Sequence, residues 1–216
     1  VAVTRGRLRL DVGRLIMVPA FAVVLVADLF SLDRGAHSGA AGELRSAGTV
    51  LVLAFYALAI WCYLRRRPAV ATSDSLTAHA AAITATWLPF TVPLQPGAPP
   101  GTGRQALSDV LLICGMAWAV WSLRFLGRNV SVLAQARDVV VQGPYRWVRH
   151  PLYAGEIVSS LGLAIAVNSY TALALWLALC GLQVYRAVRE EQVLLQALPA
   201  YRSYRSRTAA LLPGVF

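Results

Sequence analysis

Charge is scarce in this chain, and one kind of it is missing altogether. Only 14% of the 216 residues are charged, against about 25% in a soluble globular domain. There is no lysine, so all 20 basic residues are arginine. Cysteine and histidine are as thin, with three of each. Cys62, Cys114 and Cys180 each fall in a different apolar run, where a buried thiol behaves as a small hydrophobe, and His37, His79 and His150 are equally dispersed. A zinc site needs several such ligands converging at motif spacing, so no metal is expected. The formal net charge is +10, yet no recognition motif accompanies the arginines, and nucleic acid is not an expected partner. Internal repeats and paired charges within apolar runs are also lacking, which counts against a transporter.

What is abundant is hydrophobicity, at 57% of residues. The apolar residues gather into six runs: Leu15–Phe30, Thr49–Leu64, Leu76–Leu94, Leu107–Phe125, Leu152–Val167 and Tyr170–Tyr185. A helix crosses a bilayer with about 20 mostly apolar residues, and the second to fourth runs reach that with their flanks. The last two are shorter, separated only by Asn168-Ser169, and predict a tight helical hairpin. The expectation is an all-α, polytopic membrane bundle of about six spans. Arg5, Arg7, Arg9 and Arg14 precede the first run, and small residues around Ala40–Gly42 imitate a signal-peptide cleavage site. The run exceeds a usual signal-peptide core and reads as a retained first span.

The arginines orient the bundle. With the amino terminus cytoplasmic, six spans leave only Arg34, Arg45 and Arg104 outside, a strong positive-inside bias. Arg65-Arg66-Arg67 and both termini then lie on the cytoplasmic side of a cell or inner membrane, where anionic lipid headgroups account for the net charge.

The chain divides in two. Residues 1–105 alternate apolar spans with small, polar or Pro/Gly-rich connectors, and offer a scaffold or a wall for an apolar substrate. Pro89 and Pro93 should kink the outer half of the third span. From residue 106 the character changes. Trp118 and Trp121 suit a membrane interface. Then comes "GPYRWVRHPLYAGE" at 143–156, a polar cluster between two apolar runs. Gly143-Pro144 and Pro151 act as helix boundaries, so the residues between them form one or two turns presenting Tyr145, Arg146, Arg149 and His150. Gly155 permits close approach of another backbone or a ligand. After the hairpin, a helix should continue into the cytoplasm as far as Pro199, carrying the adjacent acids Glu190-Glu191. Plainer readings exist for each: arginines snorkelling to phosphates, interfacial aromatics, a solvated Glu190-Glu191 beside Arg186 and Arg189, and interfacial roles for Asp28 and Asp109.

Taken together, these residues resemble the isoprenylcysteine carboxyl methyltransferase family and the related phospholipid methyltransferases. The pattern is RHPxYxG, a hydrophobic stretch, a Glu-Glu pair, then tyrosines and a proline. Here it is Arg149, His150, Pro151, Tyr153 and Gly155, then Glu190 and Glu191, then Tyr201, Tyr204 and Pro213, within residues 124–216. Where family members often carry Phe-Gly before the first tail tyrosine, this chain has Leu198-Pro199-Ala200.

The resemblance implies an S-adenosylmethionine-dependent methyltransferase whose acceptor is a polar group (carboxylate, amine or thiol) on a lipid or prenyl-like molecule entering between spans. It implies that Tyr145, His150, Pro151, Tyr153, Gly155, Tyr201 and Tyr204 line the cofactor pocket. Glu190 then takes the ammonium or ribose, and Arg149 or Arg146 a carboxylate. Alignment should dominate such a transfer, with Arg149, Glu190 and Glu191 as the catalytic set and Glu191 the base for an acceptor that must lose a proton. The alternatives are an NADPH-dependent membrane sterol or lipid reductase and a non-catalytic membrane scaffold.

Overall fold

The computed structural model describes residues 3–5, 11–34 and 40–211; Arg7, Arg9, His37 and Pro213 lie outside them. Helices dominate: α1 Val12–Arg34, α2 Ala40–Leu64, α3 Leu76–Trp87, α4 Thr102–Leu126, α5 Pro151–Val167, α6 Tyr170–Ala197 and the short α7 Ala200–Arg205. Four are long and apolar enough to cross a membrane, with windows at Gly13–Phe30, Gly42–Leu64, Thr102–Asn129 and Tyr170–Ala197. Large apolar side chains point outward from them, among them Val23, Phe30, Leu64 and Leu177. In water such a surface is a liability; against lipid tails it is the ordinary exterior of a bundle.

The remaining runs depart from simple spans for reasons visible in the chain. Ser75 caps α3, accepting from the Ala78 amide at 3.3 Å. The helix then tightens into a 3₁₀ segment over Leu88–Leu94, because Pro89 and Pro93 remove amide donors. At the hairpin, Asn168 takes the left-handed conformation (φ 53°) and ends α5, which asparagine tolerates better than most residues. The last apolar run is one part of a 28-residue helix, about 42 Å long, whose polar end continues beyond its apolar stretch. It stops before Pro199.

α4 and α5 form the most extensive helix pair, with α2 against α4, α1 against α2, and α6 against α3 and α5. The α4–α5 seam depends on small residues. A Cβ on Gly155 would lie 2.8 Å from the Gly115 carbonyl and 2.9 Å from the Ala119 amide nitrogen, and one on Gly115 would lie 2.4 Å from the Ser159 nitrogen.

One element escaped sequence reading. Strands β1 Val3–Arg5, β2 Ala71–Ser73 and β3 Gln135–Ala136 form an antiparallel sheet in that order, with Val3 opposite Ser73 and Thr72 opposite Gln135. At two or three residues each, they are too short to show an alternation. The sheet gathers the stretch before α1 and two distant connectors at one end of the bundle, and packs on Val193 and Leu194 of α6. At the other end, the connector at Gly97 lies against Val167 beside the hairpin turn.

Candidate active site

The strand-bearing end holds the motif. Gly143 has φ +59°, and a Cβ there would meet the Phe125 ring at 2.5 Å, so only glycine turns the chain here without strain. A single 3₁₀ turn, Gly143–Arg146, follows. Residues 147–150 then run beside the tail: the Arg149 and His150 amides donate to the Ala209 and Ala210 carbonyls at 2.8 and 2.9 Å, and the Ala209 amide returns a bond to the Trp147 carbonyl. Pro151, whose missing N–H costs nothing at a first helical position, starts α5, and its carbonyl accepts from Trp118 Nε1 at 2.9 Å.

α6 brings the two acids to this segment, and they differ in duty. Glu191 accepts from Arg149 Nε at 2.6 Å, Arg205 Nε at 2.9 Å and His150 Nε2 at 3.2 Å. Arg149 also donates to the carbonyls of Thr208 and Arg205. Both oxygens of Glu191 are therefore committed to holding tail and motif together, which disfavours the base role expected of it. Glu190 instead accepts from the Tyr153 hydroxyl at 2.8 Å and lies 4.0 Å from His150 Nδ1. The His150 and Tyr153 rings stack, 5.3 Å apart and 7° from parallel.

A narrow cleft of about 50 Å³ opens beside these groups, lined by Tyr145, Arg149, His150, Glu190, Tyr201 and Tyr204 from the expected set, and by Asn129, Gln135 and Arg137, which sequence reading missed. Three buried polar atoms of its wall lack a hydrogen-bond partner among the described residues: Arg137 Nη1, Asn129 Oδ1 and the Tyr201 hydroxyl. Orphans of this kind are rare in a finished interior, and a cation, an acceptor and a hydroxyl together suit a zwitterionic, hydroxyl-bearing ligand. Arg137 is held by the Arg67 carbonyl and the Gln135 side chain at 2.8 Å each, and burial pulls its guanidinium below the ordinary range. Burial likewise raises the Tyr145 and Tyr201 phenols, and pushes Tyr204 up to about 12, so all three remain neutral donors. Tyr204 donates to the Tyr145 carbonyl at 2.6 Å.

Four expected pocket residues do not line this cleft, Tyr153 among them. Arg146 is exposed, its guanidinium 4.0 Å over the Trp147 ring. Gly155 is spent on the α4 backbone, and Pro151 on starting α5. Pro213 falls outside the described residues.

Tyr153 faces a second, larger space. This cavity of about 320 Å³ is walled by side chains from α1 through α6, among them Phe21, Phe55, Tyr56 and Phe90, with Asp28 also on its wall. At its Tyr153 end stand Glu156 and Arg186. The absence of paired intramembrane charge expected from sequence does not hold, because Gln183 links these two. The signal was present: Glu156 interrupts an apolar run, and an ionisable residue there is functional by default. Among the described residues no three His, Cys, Asp or Glu side chains converge as metal ligands would.

The family model for phospholipid methyltransferase matches residues 104–200. That stretch, a little under half of the chain, is similar to phospholipid methyltransferases. It spans α4, the motif, the hairpin and the Glu190-Glu191 helix, and so most of the cleft's wall. The chain is 34% identical over 113 residues to the cobalt-zinc-cadmium resistance protein CzcN of Cupriavidus metallidurans, covering 50% of this chain and 51% of that protein. It is 36% identical over 113 residues to the nickel-cobalt-cadmium resistance protein NccN of Alcaligenes xylosoxydans xylosoxydans, covering 50% and 52%. The chain thus spans about half the length of these curated relatives. Its fold is similar to that of a eukaryotic intramembrane Ras methyltransferase, isoprenylcysteine carboxyl methyltransferase, with a TM-score of 0.54 at 21% identity over 93% of this chain and 76% of that one.

Proposed function

We propose that this chain is an S-adenosylmethionine-dependent methyltransferase acting on a polar group of an apolar, lipid- or isoprenoid-like molecule. One juxtaposition carries the reading: a cleft with unpartnered buried polar atoms lies back to back with an apolar cavity, and the Tyr153–Glu190 hydrogen bond is the partition between them. In the cleft, Arg137 Nη1 would take the cofactor's carboxylate, Glu190 and Asn129 its ammonium, and Tyr201 and Tyr204 its ribose or adenine. The bound cofactor supplies an electrophilic methyl group on a sulfonium. The protein's own work is alignment. Glu191 and Arg149 act as positioning residues that hold the tail tyrosines over the cleft. The cleft is narrower than the cofactor, so binding would require a wall to move, and residues 138–140, which have no regular structure and are tied to Arg67 through the exposed Asp138 (2.7 Å), form that wall in this reading.

We place the strand-bearing end, with most of the arginines, at the cytoplasmic face, residues 106–216 forming the methyltransferase core and residues 1–105 completing the acceptor cavity. The test is calorimetric titration of the purified, detergent-solubilised protein with S-adenosylmethionine. Wild type should bind, and Arg137→Ala and Glu190→Ala should each weaken binding about tenfold or more. Undiminished affinity in both variants would sink the site, and NADPH binding without S-adenosylmethionine binding would point to a reductase. Metal tolerance, the property named in CzcN and NccN, supplies a cellular readout: growth in cobalt, zinc or cadmium with and without the gene.

A further inference from the structure

The larger cavity carries chemistry that the proposed cofactor cleft does not use. At its Tyr153 end, Gln183 stands between two charges: its Nε2 donates to Glu156 Oε2 at 2.6 Å, and its Oε1 accepts from Arg186 Nη1 at 3.0 Å. Arg186 Nη2 donates to the Val132 carbonyl at 3.2 Å, and the guanidinium lies 4.6 Å over the Tyr153 ring. Its Nε–H is buried without an acceptor among the described residues, and Arg186 as a whole is only 7% exposed. Glu156 Oε1 forms no hydrogen bond among the described residues. The interposed amide thus stands between a cation and an anion, both of them residues of the cavity wall.

Resting on the methyltransferase reading above, we propose that this end of the cavity seats the acceptor's head group, and that the head is a phenol-type hydroxyl. A hydroxyl oxygen has two lone pairs and one proton. One lone pair accepts from Arg186 Nε–H, the O–H donates to Glu156, and the second lone pair faces the partition at Tyr153. A carboxylate satisfies Arg186 but sets its charge against Glu156. An amine satisfies Glu156, but its single lone pair cannot both accept from Arg186 and attack a methyl carbon. In the transfer, the oxygen–carbon bond forms as the carbon–sulfur bond of a methylsulfonium donor breaks. Sulfur keeps the bonding electron pair, and the hydroxyl proton passes to Glu156. At about 320 Å³ the cavity sits at the small end of ligand sites. Its aromatic wall suits a single-chain or ring-bearing body rather than a two-chain lipid.

The test needs no turnover. Purified protein in micelles, without cofactor, is titrated calorimetrically with para-dodecylphenol, para-dodecylbenzoate and para-dodecylaniline, which share one body and differ in the head. The phenol should bind about tenfold tighter than either of the others. Glu156→Gln, which keeps shape and loses charge, should weaken phenol binding and tighten benzoate binding. Equal binding of the three, a preference for benzoate or aniline, or no binding of any overturns the proposal on wild type alone, whatever the variant does. S-adenosylmethionine titrated into the same preparation separates the failures: its binding without a phenol preference refutes only the head-group assignment, and its absence refutes the methyltransferase reading.

Discussion

Glu191→Gln is the sharpest probe of how the site is held together. The carboxylate is gripped from both sides, by Arg149, where both side chains are 9% exposed, and by Arg205, which is 50% exposed. Breaking a buried ion pair costs about 3–5 kcal/mol. Glutamine keeps one acceptor oxygen and Arg149 keeps its two carbonyl partners, which brings the expected loss down to about 2 kcal/mol, roughly thirtyfold in the population with the tail detached. The Arg205 contact is mostly solvated and contributes about 0–1 kcal/mol. Hydrogen–deuterium exchange reads this directly, because the amides of Arg149, His150 and Ala209 are bonded between motif and tail. Peptides spanning 145–152 and 203–211 should exchange about thirtyfold faster in Glu191→Gln and within about fivefold of wild type in Arg205→Ala. Unchanged protection in Glu191→Gln, or a larger effect from Arg205→Ala, refutes the idea that the buried half of this clamp fastens the tail.

Other expectations can be checked alongside. Tyr153→Phe removes the hydroxyl from Glu190 and leaves the ring against His150 and Arg186; methyl transfer should fall about tenfold while thermal stability drops by no more than about 1.5 kcal/mol. Gly155→Ala places a methyl group against the α4 backbone, and thermal denaturation should register a loss of about 1–3 kcal/mol; an unaltered transition argues that the seam is looser than described. Orientation is open to labelling: in a cysteine-free background, Ser206→Cys should react from the cytoplasmic side only and Ala98→Cys from the opposite side only, and the reverse pattern inverts the proposed topology.

How legible this arrangement was in the chain varied with the kind of signal. Helix limits were written in punctuation: Pro151 opening α5, Asn168-Ser169 turning the hairpin, Pro199 following α6. The association of RHPxY with Glu190-Glu191 was visible as a pattern, and the structure brings His150 and Glu191 into contact across 41 positions. Sequence could not say which way each side chain faces. Arg146 and Arg149 sit three apart in one motif, yet one lies on an exposed indole and the other in a buried pair. Arg137 was one arginine among many, distinguished only by a sheet too short to leave a periodic trace. Glu156 stood out alone as an acid inside an apolar run, but Gln183 and Arg186 become its partners only when α5 and α6 are laid side by side.

The pairing of residues 147–150 with Ala209 and Ala210 bears on the order in which the protein is made. The cleft draws on residues 126–150, on the far end of α6 and on Tyr201 and Tyr204, and the strap that fastens them is among the last described stretches to leave the ribosome. A nascent chain can therefore complete its apolar helices before the cleft has its full wall. Membrane integration and completion of the cleft become separate events in time, divided by the synthesis of the residues that follow Pro199.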